Sequence, residues 1–288
     1  MLTEVVQLVL NGLMAGTILA VPAIGFTAIY AVLRFPNFSV ASQVTIGAFA
    51  GYVANVTFGL PAPVAVAFAF LVAGFSGLVC DEFVLRPMRP AGPLAAAIAA
   101  VALTIVLENV VRFWFGNDLR GYDLPVLRDW RFAGLRVSPQ QLENGVIAII
   151  AMACLFGFLA FSRMGKAMRA VADNPMLASI KGIDSVAVGR LVSFVGMGLA
   201  GLGGMLLGLD TSIDPLTGFR AILTVFAAAV VGGLGSIPGA VVGALTIGVA
   251  EELSLLVLDP AYRSAVGFVA ILLVLTLRPR GILGERAF

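Results

Sequence analysis

The chain alternates long uncharged runs with short charged punctuation. Val5–Leu33 holds 29 residues without a charge, Phe35–Cys80 holds 46, and Pro90–Leu107 and Gly145–Ser162 hold 18 each. Leu191–Leu209 adds 19, Ala221–Ala250 adds 30, and Ser264–Leu277 closes the series with 14. A helix crosses the hydrocarbon with about 20 apolar residues, so each run predicts one membrane helix or two. The 46-residue run is too long for one, and Gly59-Leu60-Pro61-Ala62-Pro63 supplies the turn between its halves. The 30-residue run is broken by Gly232-Gly233-Leu234-Gly235-Ser236-Ile237-Pro238-Gly239. Broken backbone is not tolerated against lipid, which predicts two shorter pieces meeting in a protein-covered or water-lined turn. The runs are too long and alternate too weakly for barrel strands. The pattern predicts an all-α polytopic membrane protein: a bundle of eight to ten transmembrane helices with broken or re-entrant segments, one domain over residues 1–288.

The charges sort by side. If the crossings alternate, Arg34, the Arg86-Pro87-Met88-Arg89-Pro90 turn, the Arg163–Arg190 loop and the tail Arg278-Pro279-Arg280 share one face of the membrane. Basic residues in short loops mark the cytoplasmic side, so the C-terminus is expected inside and the N-terminus outside. The opposite side carries one long loop, residues 116–144, of mixed charge. The first apolar run lacks a positive n-region and is long enough to stay as an anchor rather than a cleaved signal.

Composition agrees: 60% of residues are apolar, 12% are charged and the mean hydropathy is +1.05, against roughly a quarter charged in soluble domains. A net charge of +2 without a basic block excludes a nucleic-acid surface. The absence of histidine removes His-based acid–base chemistry and nearly every zinc-enzyme pattern. Cys80 and Cys154 sit in apolar runs and read as small hydrophobes. No G-x-x-x-x-G-K-[ST] loop is present, so nucleotide is not bound in the P-loop manner.

Three constellations carry functional interest. The 33 glycines form small-xxx-small pairs (Gly47/Gly51, Gly204/Gly208, Gly235/Gly239, Gly239/Gly243) that let helices approach in lipid. Packing accounts for these, but not for the break at Gly232–Gly239. The second is the cytoplasmic loop, in which Arg163, Lys166 and Arg169 recur every three residues on one helical face. Asn174 reads as an N-cap with Pro175 at the first helical position, Gly182 as a C-terminal cap, and the short helix between offers Met176, Leu177 and Ile180. It is either an interfacial anchor or a docking helix for a soluble partner. The third is the set of polar residues inside spans: Ser39, Ser42 and Gln43 at i, i+3, i+4, with Thr45 following. Glu108, Asn109, Glu251, Glu252, Asp210 and Asp214 fall at run ends and read as solvated helix termini.

The Gly232–Gly239 block with Ile247-Gly248-Val249-Ala250-Glu251, the string Arg163-Met164-Gly165-Lys166-Ala167-Met168-Arg169-Ala170 and Ala178-Ser179-Ile180-Lys181-Gly182-Ile183 resemble the permease subunit of ABC importers for branched-chain amino acids. Asp214-Pro215 before Gly218-Phe219, Arg86-Pro87-Met88-Arg89 and Pro279-Arg280-Gly281-Ile282-Leu283-Gly284 match as well, so the resemblance runs over essentially the whole chain. It implies a type II ABC importer-like permease in the bacterial inner membrane, alternating access, and no enzymatic activity or bound cofactor of its own. ATP and magnesium would belong to two cytoplasmic ATPase subunits. A second, homologous permease and an extracytoplasmic binding protein would complete the assembly. Residues 163–187 become the ATPase-coupling loop, with Arg163, Gly165, Lys166, Arg169, Ala172, Asp173, Pro175, Leu177, Ile180 and Gly182 as its expected contacts. The expected substrate path takes in Asn37, Ser39, Ser42, Gln43, Thr45, Gly235, Ser236, Gly239 and Glu251.

One departure bears on substrate. After Asn37-Phe38 the family continues with a small residue and then His-Gly-Glu, where this chain has Ser39-Val40-Ala41-Ser42. A urea- or short-chain amide-specific permease is therefore an alternative. A stand-alone carrier or channel ranks lower, because coupling charges deep in the bundle are missing. An intramembrane enzyme using Asp210-x-x-x-Asp214 ranks last, for want of a second acidic cluster and a phosphate clamp.

Overall fold

The computed structural model describes residues 2–123, 128–132, 134–259, 262–278 and 280–284. The chain enters on α1 (Leu2–Leu33), turns at Arg34, and continues as α2 (Val40–Tyr52), which runs on into a π-helical turn at Val53–Thr57. After the Gly59–Pro61 corner come α3 (Ala62–Cys80), a second π turn at Asp81–Leu85, the short α4 (Arg86–Met88) and a 3₁₀ turn at Arg89–Ala91. Next are α5 (Pro93–Phe115), a loop, α6 (Pro139–Phe161), then α7 (Arg163–Asp173) and α8 (Pro175–Ile180). The chain ends with α9 (Ser185–Asp210), α10 (Thr217–Gly232), α11 (Ile237–Ser254) and α12 (Arg263–Leu277). Among the described residues, six helices are long and apolar enough to cross a membrane, and α10 and residues 265–277 of α12 are shorter apolar helices. The 116–144 loop holds what the hydrophobic pattern did not predict, a small antiparallel hairpin pairing Trp130–Phe132 with Leu135–Val137. Its residues 124–127 and 133, like Pro279 of the tail motif, lie outside the described residues.

Glycine decides which helices touch. A Cβ on Gly47 of α2 would strike the backbone of Gly201 on α9, and one on Gly204 would strike the Val44 carbonyl. Gly12 and Gly16 of α1 lie against the α11 backbone in the same way. The result is a centre of α1, α2 and α9, around which α3, α10 and α11 pack through their own small faces. Close approach of this kind replaces the hydrophobic drive that lipid cannot supply.

The break in the long run is real: α10 stops at Gly232, α11 starts at Ile237, and Gly235 takes φ +92, open to glycine at no steric cost. The turn is covered by the C-terminal segment, whose Ile282 and Leu283 amides donate to the Val231 and Gly232 carbonyls at 2.8 and 2.9 Å. The other end of α10 is also inset. Gly218 packs against Ala41 and Thr45 of α2, and its amide donates to Thr45 Oγ1 at 3.0 Å. Sixteen residues give about 24 Å, short of a full crossing.

Two expectations about charge are corrected. Glu108 and Asn109 do not end a helix, since α5 continues to Phe115, and Glu108 is buried at 6% exposure. Glu251 and Glu252 do stand in the last turn of α11, but they are buried rather than solvated, with Thr224 Oγ1 of α10 donating to Glu251 Oε1 at 3.1 Å. At Glu108 the charge-free count marks the first ionisable residue, not the last helical turn, and at all three positions the surrounding helices take the side chain in.

Candidate functional site

The basic loop folds as a capped helical unit. Ser162 Oγ accepts from the Gly165 amide at 2.8 Å, Asn174 Oδ1 from Leu177 at 3.0 Å, and Asp184 Oδ1 from Val186 and Ala187 at 2.8 and 3.2 Å. These caps start α7, α8 and α9 in turn, each satisfying amides that a helix start leaves open. At the far end of α8, Gly182 has φ +82; its amide donates to the Ser179 carbonyl and that of Ile183 to the Ala178 carbonyl, both at 3.0 Å. That is the Schellman pattern expected of a glycine stop.

On α7 the expected periodicity holds. Arg163, Lys166 and Arg169 are exposed, while Gly165, Met168 and Val171 pack on the bundle. Asp173 is exposed, Ala172 is half-buried, and Pro175 opens α8. Only Ala178 of α8 is buried; Met176, Leu177 and Ile180 are 75, 57 and 70% exposed. Three large apolar side chains thus stand outside the spans on a helix too short to hide them.

Arginines brace the unit. The Arg34 guanidinium, at the end of α1, donates to the Ala172 carbonyl, and Arg190 in α9 clamps Glu82 with two hydrogen bonds of 2.9 and 2.7 Å. Arg86 also pairs with Glu82, and Arg89 with the buried Asp81. The charges expected on one side are therefore joined at one end of the bundle. Neither brace was visible in the sequence, since the partners are 138 and 108 residues apart.

The polar residues in the first half of α2 and in the turn leading into it are enclosed. Asn37, Ser39, Ser42, Gln43 and Thr45 are all buried. Asn37 Oδ1 accepts from the Ser39 amide and hydroxyl at 3.1 and 2.7 Å, Ser42 Oγ donates to the Ser39 carbonyl at 2.8 Å, and Thr104 Oγ1 of α5 donates to the Phe38 carbonyl at 3.1 Å. Among the described residues neither amide atom of Gln43 has a hydrogen-bond partner, nor do the hydroxyls of Thr27 on α1 and Ser193 on α9. Gly235 and Ser236 sit apart from this group. They line a cavity of about 540 Å³ with Arg169, Ala172 and Asp173, between the α10–α11 turn and α7. Gly239 packs on Gly232, and Glu251 lies about three turns further along α11. The expected path residues thus fall into an α2 group, a group beside α7, and Glu251 with Thr224.

At the other end of the bundle a strap at 116–123 lies against α2, the end of α5 and the α9–α10 connection. Arg120 pairs backbone to backbone with Ile213 at 2.9 and 2.8 Å, and its guanidinium lies over the Tyr52 and Phe115 rings. Tyr122 Oη donates to the Ala48 carbonyl at 2.6 Å, and burial pushes this phenol's pKa upward. Asp214 Oδ1 accepts from Leu216, Thr217 and Arg220, which ties this carboxylate to the start of α10. Among the described residues no group of three His, Cys, Asp or Glu is placed to hold a metal.

A family profile described as the branched-chain amino acid transport system permease component matches residues 8–275. The chain belongs to this permease family. The permease is 34% identical over 97% of its length to the high-affinity branched-chain amino acid transport system permease protein LivH of Salmonella typhimurium, covering 95% of that protein. It is 32% identical to BraD of Pseudomonas aeruginosa, described in the same words, with the same coverage. A probable branched-chain amino acid transport permease of Methanocaldococcus jannaschii is 29% identical over 96% of this chain and 92% of that protein. A chain of PsaBC from Streptococcus pneumoniae shares the fold at a TM-score of 0.50 and 15% identity, over 97% of both chains. The permease is thus a multi-pass membrane protein of a transport family.

Proposed function

We propose that this chain is the transmembrane permease subunit of an ABC importer for branched-chain or other small amino acids. ATP and magnesium are handled by two ATPase subunits docked at the basic end. A second homologous permease completes the passage, and an extracytoplasmic binding protein delivers substrate at the strap end. The C-terminus is cytoplasmic on this reading. The observation that carries it is the capped, exposed α8: burying Met176, Leu177 and Ile180 in a partner groove is worth about 1.5–3 kcal/mol per side chain. Arg163, Lys166 and Arg169 supply the charged rim of the same contact.

The step assigned to this chain is a change of packing. Nucleotide-driven closure of the ATPases displaces α7 and α8, and the glycine-packed α1, α2 and α9 move between two arrangements that expose the α2 polar face to one side or the other. Replacing Met176–Lys181 with a Gly/Ser linker tests the docking role. ATP-dependent uptake should fall below a tenth of wild type while the permease still inserts and melts normally. Wild-type uptake by the linker variant would refute it.

A second reading rests on the α2 group itself. Its side chains are neutral hydroxyls and amides, which suit a neutral solute such as urea or a short-chain amide as well as a zwitterion. Uptake of labelled leucine that excess urea and acetamide leave unchanged would decide for the amino acid; the converse competition would decide for the amide.

A further inference from the structure

We infer that Arg34 is a positioning residue that ties the coupling helix α7 to the polar helix α2, so that displacement of one turns the other. The inference rests on the reading of α7 and α8 as the ATPase-contacting unit. Arg34 occupies the left-handed region at φ +58, the one non-glycine among the described residues to do so. A long side chain there is disfavoured, and it persists where surrounding contacts hold it. Here its amide donates to the Tyr30 carbonyl at 2.9 Å, ending α1, and its guanidinium reaches the Ala172 carbonyl, one turn or less from the end of α7. A helix leaves its last carbonyls unpaired and negative, so a cation there is favoured twice over.

The link onward to α2 is short and stiff. Phe35 is buried under the Arg89 guanidinium, whose carbon lies 5.7 Å from the ring centre, and Arg89 is held by Asp81. Pro36 fixes its own φ. Asn37 then closes the turn onto Ser39, and Thr104 grips the Phe38 carbonyl. From Arg34 to the first turn of α2 every residue but the proline makes a specific contact. A pull on Ala172 therefore reaches Ser39, Ser42 and Gln43 through a linker with little slack, a chain of packed side chains and hydrogen bonds of the kind that carries coupling between sites.

Arg34→Gly keeps the backbone angle and removes the guanidinium. In the full-length chain in lipid nanodiscs, hydrogen exchange should rise at least fivefold at residues 170–176 and at 39–43 together, with residues 240–248 of α11 at the wild-type rate. Arg34→Lys, which retains a donor, should recover part of the protection. A residue that merely caps α7 would loosen 170–176 alone. In the reconstituted transporter the glycine variant should hydrolyse ATP within twofold of wild type yet import at least threefold less solute per ATP. An unchanged ratio, or loosening confined to one segment or absent from both, overturns the inference. A wild-type assembly without ATP-dependent uptake would strike the importer reading instead, and the exchange result alone would still decide the Arg34 link.

Discussion

Gln43 is fully enclosed on α2 with neither its amide oxygen nor its amide nitrogen bonded. An unmade hydrogen bond in a buried site costs about 1–3 kcal/mol, so this side chain works against the arrangement seen here. Gln43→Leu should therefore melt at the wild-type temperature or above. If the amide is satisfied when the path opens, the same variant should lose at least tenfold in uptake. Stability gained with transport intact would remove Gln43 from the path. At this scale the sequence was legible where the rule is local. Asn174, Gly182 and the exposed face of Met176, Leu177 and Ile180 follow from neighbours within a few residues. Glu108 was misplaced because burial of a carboxylate depends on which helix stands opposite, and nothing near residue 108 states that.

Between elements, the small-xxx-small pairs resolve into particular crossings, and those crossings separate two kinds of glycine. At Gly201 an added Cβ would run into Ala73 of α3, with Gly47 of α2 close on the same side, so Gly201→Leu should push three helices apart and abolish folded protein. Gly157 of α6 has open space where its Cβ would go, and Gly157→Ala should raise the melting temperature through helix propensity, by roughly 1 kcal/mol in stability. Thermal melts in detergent check both; a stable Gly201→Leu variant would mean the α2–α9 contact can slide. Helix ends and breaks were readable from Gly, Pro and charge. The inset start of α10 was not, because the partner that receives Gly218, Thr45, lies 173 residues earlier in the chain. The hairpin at Trp130–Val137 was missed for a related reason: three-residue strands inside a polar loop leave too short an alternation to read.

Over the whole molecule, charge and polarity divide the bundle into two ends. Arg34, Arg86, Arg89, Arg190 and the α7 cations meet at one end, and the Arg120–Tyr122 strap lies at the other. The proposed function puts the first in the cytoplasm, the side on which the positive-inside rule would expect these cations. Placing ATPase subunits on α8 requires that assignment, so topology tests the proposed function independently of transport. Of the two cysteines, Cys80 is buried and Cys154 exposed, and both are replaced by alanine first. Single cysteines are then introduced at Leu119, in the strap-end loop, and at Met176 on α8, both exposed. A membrane-impermeant maleimide added to intact cells with permeabilised outer envelopes should label Leu119→Cys at once. Met176→Cys should react only after the inner membrane is opened. Labelling of both from the same side would contradict the spacing of the two ends across the bundle. Reversed labelling would put α8 where no cytoplasmic ATPase can reach it, and the importer reading would fall with it.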